Sequence, residues 1–317
     1  MKILVTPTSL QPGKGSKALE TLKAFSEDLI FNTTGKPLSE DELIPLLADC
    51  DGYIAGLDFV TENVLKSCTR LKVVSRYGAG YDRVDIAAAK SLNIPVTNTP
   101  GVNAEAVGEL AFGLALSVAR KIPYLHTNLC GGGWIRSTGI ELKGKTIGIM
   151  GLGAIGKVVA RCAKGFDMEV IAYDPYINAA YCEENGITSA SFDEVIMQAD
   201  VISLHLPLMA STHHMISASA IAKMRPTAIL VNTSRGGLID EDAAYDALKA
   251  GRLGGLALDA FEIEPPTESP LFSLYEVVAT PHTGAHTAEA MENMAVLSVQ
   301  NLIDVLESKP CPFIVNQ

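Results

Sequence analysis

The sequence lacks any Cys-x-x-Cys pair and any apolar run approaching the roughly 20 residues that a membrane-crossing helix needs. Its six cysteines (Cys50, Cys68, Cys130, Cys162, Cys182 and Cys311) are scattered, which excludes the thiolate spacing of a zinc ribbon or a dithiol redox motif. The opening MKILVTP has no apolar stretch behind a basic one, so no secretory signal is read and a cytoplasmic location with reduced thiols is expected. Positive charge is also scarce. Lys and Arg number 25 against 36 Asp and Glu, a net charge of −11, and no basic stripe of the kind that neutralises nucleic-acid phosphates is present. No repeat of solenoid period and no linker-like tract interrupts the chain. What remains is ordinary globular material, 48% hydrophobic over 317 residues, long enough that two cores are the default.

Short β-branched runs alternate with helical patterns throughout, the signature of parallel sheets built from strand–helix–strand units. A first series has strand candidates at Lys2–Thr6, Gly52–Ala55, Leu71–Ser75 and Ile94–Asn98, with a helix at Ile86–Ser91. A second has Thr146–Met150, Glu169–Tyr173, Val201–His205, Ala228–Asn232, Gly255–Asp259 and Val277–Thr280, the six strands of a dinucleotide-binding sheet. Two long helical patterns, Asn103–Arg120 and Thr287–Glu307, are read as the passages between domains. The expected fold is thus α/β with two doubly wound parallel sheets. Residues 100–285 form a Rossmann-type domain, and residues 1–99 with 286–317 a smaller, flavodoxin-like substrate domain.

The strand ending at Met150 runs into Gly151-Leu-Gly153-Ala154-Ile155-Gly156 and then a helical stretch. Gly151 suits the tight turn, Gly153 the approach of a pyrophosphate, and Gly156 close helix–strand packing, with Ala154 and Ile155 offering N–H groups at the helix start. A glycine triplet alone is equally consistent with a plain strand-to-helix turn. Here the next strand ends at Asp174, and 174 − 156 = 18, close to the spacing of an acid that binds the adenosine ribose. Such an acid repels a 2′-phosphate, and Pro175 to Asn178 supply no cation to receive one, so NAD is expected rather than NADP.

Ligands of these sheets gather beyond the carboxyl ends of the strands, where Arg235, Glu264 and His282 follow three successive strand candidates. A guanidinium can fix a carboxylate with two parallel hydrogen bonds. A histidine can exchange a proton near neutral pH, and a neighbouring carboxylate orients its ring. That trio suits reduction of an α-keto acid. Taken singly, each residue also reads as a loop arginine, a solvated loop acid or a strand-end histidine satisfied by backbone.

The joint pattern resembles the D-isomer-specific 2-hydroxyacid dehydrogenase family, with the phosphoglycerate dehydrogenases most similar. The matching stretches are Arg76-Tyr-Gly-Ala-Gly-Tyr-Asp-Arg-Val-Asp85, Asn98-Thr-Pro-Gly-Val-Asn-Ala-Glu-Ala-Val-Gly-Glu109, Gly151 to Gly156, Asn232-Thr-Ser-Arg-Gly-Gly-Leu-Ile-Asp240, Ala257-Leu-Asp-Ala-Phe-Glu-Ile-Glu-Pro-Pro266 and Pro281-His282. The resemblance implies Arg235 as carboxylate clamp, His282 as acid/base and Glu264 as its partner. It further implies cofactor contacts from Leu206, Thr233 and Asp259, the last at the nicotinamide carboxamide. Substrate contacts are implied at Gly78, Ala79, Gly80 and Asn103. The first expected substrate pair is 3-phosphoglycerate and phosphohydroxypyruvate, with hydroxypyruvate or glyoxylate as the alternative. One departure bears on this choice: Ile54-Ala-Gly-Leu-Asp58 lacks an arginine that phosphoglycerate enzymes place there, leaving Arg76 as the available cation.

Other polar residues carry less. His205 ends a strand before Leu206-Pro207, near an expected adenine site, and packing explains it equally well. His213 and His214 have no acidic or cysteine companion at ligand spacing, so no metal site is expected. Trp134, the only tryptophan, reads as a buried anchor, whereas the resemblance implies that its segment packs on a second subunit and that the protein is a homodimer. The competing function of another class is an NAD(H)-sensing binding protein on the same scaffold. Formate oxidation on a related scaffold expects glutamine where Glu264 stands, and the sequence disfavours it.

Overall fold

Every strand pairing in the computed structural model, which describes residues 1–317, is parallel, and the chain divides into two units. The first unit comprises residues 1–103 and 285–317, the second 104–284. The sequence reading placed the junctions at 99/100 and 285/286.

In the first unit, β1 (Lys2–Val5), β2 (Asp28–Phe31), β3 (Gly52–Ala55), β4 (Val73–Arg76) and β5 (Val96–Thr97) lie in the order β2-β1-β3-β4-β5. This is the flavodoxin-like order, with the direction of winding reversing between β1 and β3. Parallel strands with helices on both faces must be apolar on both, and β3 and β4 are buried at every residue. Ile3, Val5, Ile54 and Val73 pack against the helices Lys17–Phe25 and Ala288–Leu306. On the other face, Leu4, Tyr53 and Val74 meet Leu43, Leu47, Val64 and Ala89 of three shorter helices.

The second unit's sheet contains β6 (Thr146–Met150), β7 (Glu169–Tyr173), β8 (Thr188–Ser189), β9 (Val201–Leu204), β10 (Ile229–Asn232), β11 (Gly255–Leu258) and β12 (Val277–Ala279). Their order, β12-β11-β10-β9-β6-β7-β8, is that of a dinucleotide-binding fold, and its switch point falls between β6 and β9. The helix Ala104–Ala119 packs with Ala154–Gly165 over one face, on Ile147, Ile149, Val201 and Val231. Ile202, Leu204, Leu230 and Leu256 fill the opposite face.

Strands β2 and β8 go beyond the sequence reading, which raises the second sheet from six strands to seven. Both are sheet edges; β8 has two exposed residues and β2 carries no fully buried one. Trp134 also departs from expectation. It is 80% exposed, which rules out the buried-anchor reading within this chain.

Candidate active site

The glycine turn connects β6 to the helix Ala154–Gly165, whose N-cap is Gly153 and which has no side-chain cap. The first N–H groups of the helix therefore have no partner within it and carry the positive end of its dipole. Gly151 has φ +100° and sits against the carbonyl of His205; a Cβ on Gly156 would lie 2.1 Å from the Gly151 oxygen. Gly153 is different, since a Cβ there would meet nothing within 4 Å. Two glycines are thus required by the protein's own packing, while the middle one opens onto space that a ligand can enter. Asp174 is held beside this turn: Oδ2 accepts from the Leu152 N–H at 2.8 Å and Oδ1 from the Tyr176 N–H at 2.8 Å.

Leu206 and Thr233 follow β9 and β10, the next strands across the switch point. Leu206 is buried, and its carbonyl accepts from the Ser234 hydroxyl at 2.7 Å. Thr233 Oγ1 and His205 Nδ1 are buried polar atoms without a hydrogen-bond partner in the chain, a costly condition that a polar ligand would relieve. An uncapped helix start, an open cradle at Gly153 and unpartnered polar atoms at neighbouring strand ends together fit a dinucleotide.

Arg235, Glu264 and His282 follow β10, β11 and β12, three adjacent strands whose carboxyl ends share one edge of the sheet. His282 Nδ1 lies 2.8 Å from Glu264 Oε1, and the Phe261 N–H donates to that same oxygen at 3.2 Å. Glu264 thereby orients the ring and leaves Nε2 as the imidazole nitrogen available for proton exchange. His282 has φ +52°, a left-handed conformation that costs a non-glycine residue about 1 kcal/mol or more.

Asp259 supports that conformation. Its Oδ1 accepts from the Thr280 hydroxyl at 2.6 Å and the Thr283 N–H at 2.8 Å, and its Oδ2 accepts from the Gly284 N–H at 2.8 Å. Buried to 2% exposure, Asp259 organises the loop that carries His282, beyond the cofactor contact the sequence suggested. Arg235 is half-buried, with Nη1 donating to the Ser234 carbonyl at 2.7 Å, while Asn232 Nδ2 donates to the Arg235 carbonyl at 2.7 Å.

In the first unit, the loop after β4 is tied down through its carbonyls. The oxygens of Gly78, Ala79 and Gly80 accept from the Thr99 N–H, Asn98 Nδ2 and Arg76 Nε at 3.0, 2.7 and 3.1 Å. Successive N–H groups presented by a loop pinned in this way suit an anionic group. Asn103 immediately precedes the helix Ala104–Ala119.

Arg76 is the cation that the sequence leaves for a substrate phosphate. It is 5% exposed, with Nη1 donating to the Ala55 carbonyl at 2.8 Å and Nε to Gly80, so it braces the loop from inside. Asp58 is also turned inward, accepting from the Tyr53 hydroxyl at 2.9 Å and the Leu38 N–H at 2.7 Å. Burial, then the Asp58 charge, push the Tyr53 hydroxyl well above its ordinary pKa.

Sequence reasoning missed one arrangement. His214 Nε2 lies 2.8 Å from Glu262 Oε1, although the residues are 48 positions apart. Nothing in local spacing signals this pair.

A parallel sheet with an open glycine cradle, and a histidine–carboxylate pair beyond its strand ends, defines a dinucleotide-dependent oxidoreductase. Residues 112–284 match the family model described as D-isomer specific 2-hydroxyacid dehydrogenase, NAD binding domain. The chain belongs to this family and is an NAD-dependent 2-hydroxyacid dehydrogenase. It is 42% identical over 327 aligned positions to a glyoxylate reductase of Thermococcus litoralis, covering 100% of this chain and 98% of that one. It is 41% identical over 283 positions to a D-3-phosphoglycerate dehydrogenase of Methanocaldococcus jannaschii, covering 88% of this chain and 54% of the relative; the chain thus spans about half of that protein. Among solved structures, D-lactate dehydrogenase from Aquifex aeolicus, complexed with NAD and lactic acid, aligns over 100% of this chain and 99% of its own at TM-score 0.88 and 26% identity.

Proposed function

We propose that the protein reduces a short, unphosphorylated 2-keto acid, glyoxylate or hydroxypyruvate, to the 2-hydroxy acid. The observation that carries this choice is Arg76, whose guanidinium is buried and donates to two backbone carbonyls, where phosphate recognition needs a cation facing the ligand. In this reading Arg235 grips the substrate carboxylate and His282 delivers a proton from Nε2 to the carbonyl oxygen. Glu264 holds the ring through Nδ1. The nicotinamide, when bound, supplies the hydride. Ala154 and Ile155 N–H groups meet the pyrophosphate, Asp174 the ribose, and Leu206, Thr233 and Asp259 complete the cofactor's contacts.

The test is NADH oxidation followed with glyoxylate, hydroxypyruvate and phosphohydroxypyruvate. Glyoxylate or hydroxypyruvate should give the highest kcat/KM. His282→Ala should cut kcat by about 100-fold or more while NADH still binds, and Arg235→Lys should chiefly damage keto-acid use by losing the bidentate grip. A clear preference for phosphohydroxypyruvate would overturn the substrate assignment in favour of the second reading, which the phosphoglycerate dehydrogenase relatives favour. No turnover with any of the three would favour a dinucleotide sensor.

We also propose a homodimer joined through residues 122–137. The helix Ile122–Cys130 buries none of its residues, and its Ile122 and Leu129, with Trp134 and Ile135 after it, are exposed apolar side chains. Light scattering should give twice the chain mass, and Trp134→Asp should halve it.

A further inference from the structure

We propose that His214 and Glu262 are positioning residues: a second histidine–carboxylate pair that sets the loop holding Glu264 and, through it, the ring of His282. The proposal rests on the catalytic reading of Glu264 and His282 above.

The loop concerned is residues 259–264, which runs from β11 to Glu264 and has no regular hydrogen bonding of its own. It is fixed from two sides. On one, Glu262 is crossed with the start of the helix Glu241–Lys249: its N–H donates to Glu241 Oε1 at 2.8 Å, and its Oε1 accepts from the Glu241 N–H at 3.3 Å. That same Oε1 takes His214 Nε2 at 2.8 Å, and His214 is itself anchored by its N–H to the Gly237 carbonyl at 2.8 Å. On the other side lies Gly236, the residue after Arg235. A Cβ there would fall 1.8 Å from the Phe261 carbonyl carbon and 2.2 Å from the Glu262 nitrogen, so the two backbones touch with no room for a side chain.

The Phe261–Glu262 peptide is therefore held between the Arg235 loop and the Glu262 bracket, and one peptide earlier the Phe261 N–H donates to the Glu264 oxygen that meets His282. A single exposed ion pair contributes little to stability. Here the pair closes a chain of hydrogen bonds on a loop whose placement decides whether a proton donor faces its substrate. Displacement by about 1 Å at a reacting group can cost roughly 100-fold in rate without touching the chemistry itself.

Glu241, Asp242, Glu262 and Glu264 are gathered along this bracket, and burial followed by the Glu262, Asp242 and Glu264 charges raises the Glu241 carboxyl above its ordinary pKa. Unopposed, these acids would push the loop apart; His214, with His213 stacked on it at 4.0 Å, is the basic group in contact with Glu262.

The experiment compares Glu262→Ala, Glu262→Gln and His214→Gln in the full-length enzyme, with His282→Ala as the reference for the catalytic reading. Steady-state kinetics with the best keto acid are read beside NADH binding and melting temperature. Glu262→Ala and His214→Gln should each lower kcat by about 10-fold or more, with NADH affinity and Tm close to the parent. Glu262→Gln keeps an acceptor for both donors and should recover most of that loss. Parent-like kcat in Glu262→Ala, or loss of NADH binding and Tm in parallel with kcat in both Glu262→Ala and His214→Gln, overturns the proposal. If His282→Ala retains full activity, the underlying catalytic reading fails instead.

Discussion

His205 ties acid stability to the floor of the cofactor site. Its ring is buried at the end of β9, Nε2 lies 2.9 Å from the Ser203 hydroxyl, and Nδ1 has no partner. Burial alone depresses its pKa to about 3, so the folded protein keeps it neutral across the range where an unfolded chain protonates it. A histidine with a depressed pKa withdraws stability as pH falls below the unfolded value near 6.5, and the withdrawal continues until the folded value is reached. At about pH 5 the unfolded state gains about 1.5 log units of proton binding that the folded state does not share, roughly 2 kcal/mol; at about pH 7.5 the difference is close to zero. His205→Gln removes the titration and keeps an amide within reach of Ser203. Urea unfolding followed by circular dichroism should then show the parent losing about 2 kcal/mol more than the variant between about pH 7.5 and about pH 5. Other titrating groups act on both proteins and cancel in the comparison. A stability difference that is the same at both pH values would refute the argument, whatever its size at neutral pH.

Gly153→Ala and Gly156→Ala separate ligand space from packing space. Gly153→Ala should leave Tm nearly unchanged and weaken NADH at least about 10-fold, whereas Gly156→Ala should lower both, as read by melting curves and NADH fluorescence titration. Equal effects of the two would count against the cradle. Glu241→Gln should stabilise the protein, and more at pH 7 than at pH 4. The raised carboxyl pKa means that the ionised form is disfavoured in the folded state, a penalty that is absent below the unfolded pKa and complete above the folded one. A Tm difference independent of pH would contradict this.

The fold class was legible because parallel sheets buried on both faces demand apolar runs, and β3, β9, β10 and β11 are largely such runs. Strands β2 and β8 were not, because an edge strand is made by its single neighbour: Asp28–Phe31 and Thr188–Ser189 pair with one strand each and present no buried face. The glycine turn could be read because each glycine answers a local steric demand. The setting of Arg76 was not legible for the opposite reason. Residue type announces a cation, but whether it meets a ligand or a carbonyl depends on Ala55 and Gly80 closing around it, and no pattern along the chain encodes that. His214 and Glu262 were invisible for the same cause, brought together only because loops leaving parallel strands emerge at one edge.

That shared edge also explains why His282 stands in a strained conformation. A parallel sheet delivers its strand ends side by side but leaves each following loop to find its own hydrogen bonds, and β12 is an edge strand of only three residues. The loop after it takes its order from Asp259 on the adjacent strand, whose carboxylate receives the Thr280 hydroxyl and the Thr283 and Gly284 N–H groups on either side of His282. Two fixed flanks leave the intervening residue little backbone freedom, and φ +52° is the conformation in which the ring reaches Glu264. A carboxylate buried to 2% exposure carries a desolvation penalty of several kcal/mol before its hydrogen bonds are counted. An apolar residue at position 259 would escape the penalty yet leave those loop donors unmet and the histidine unaimed, so the buried charge belongs to the site as much as to the core.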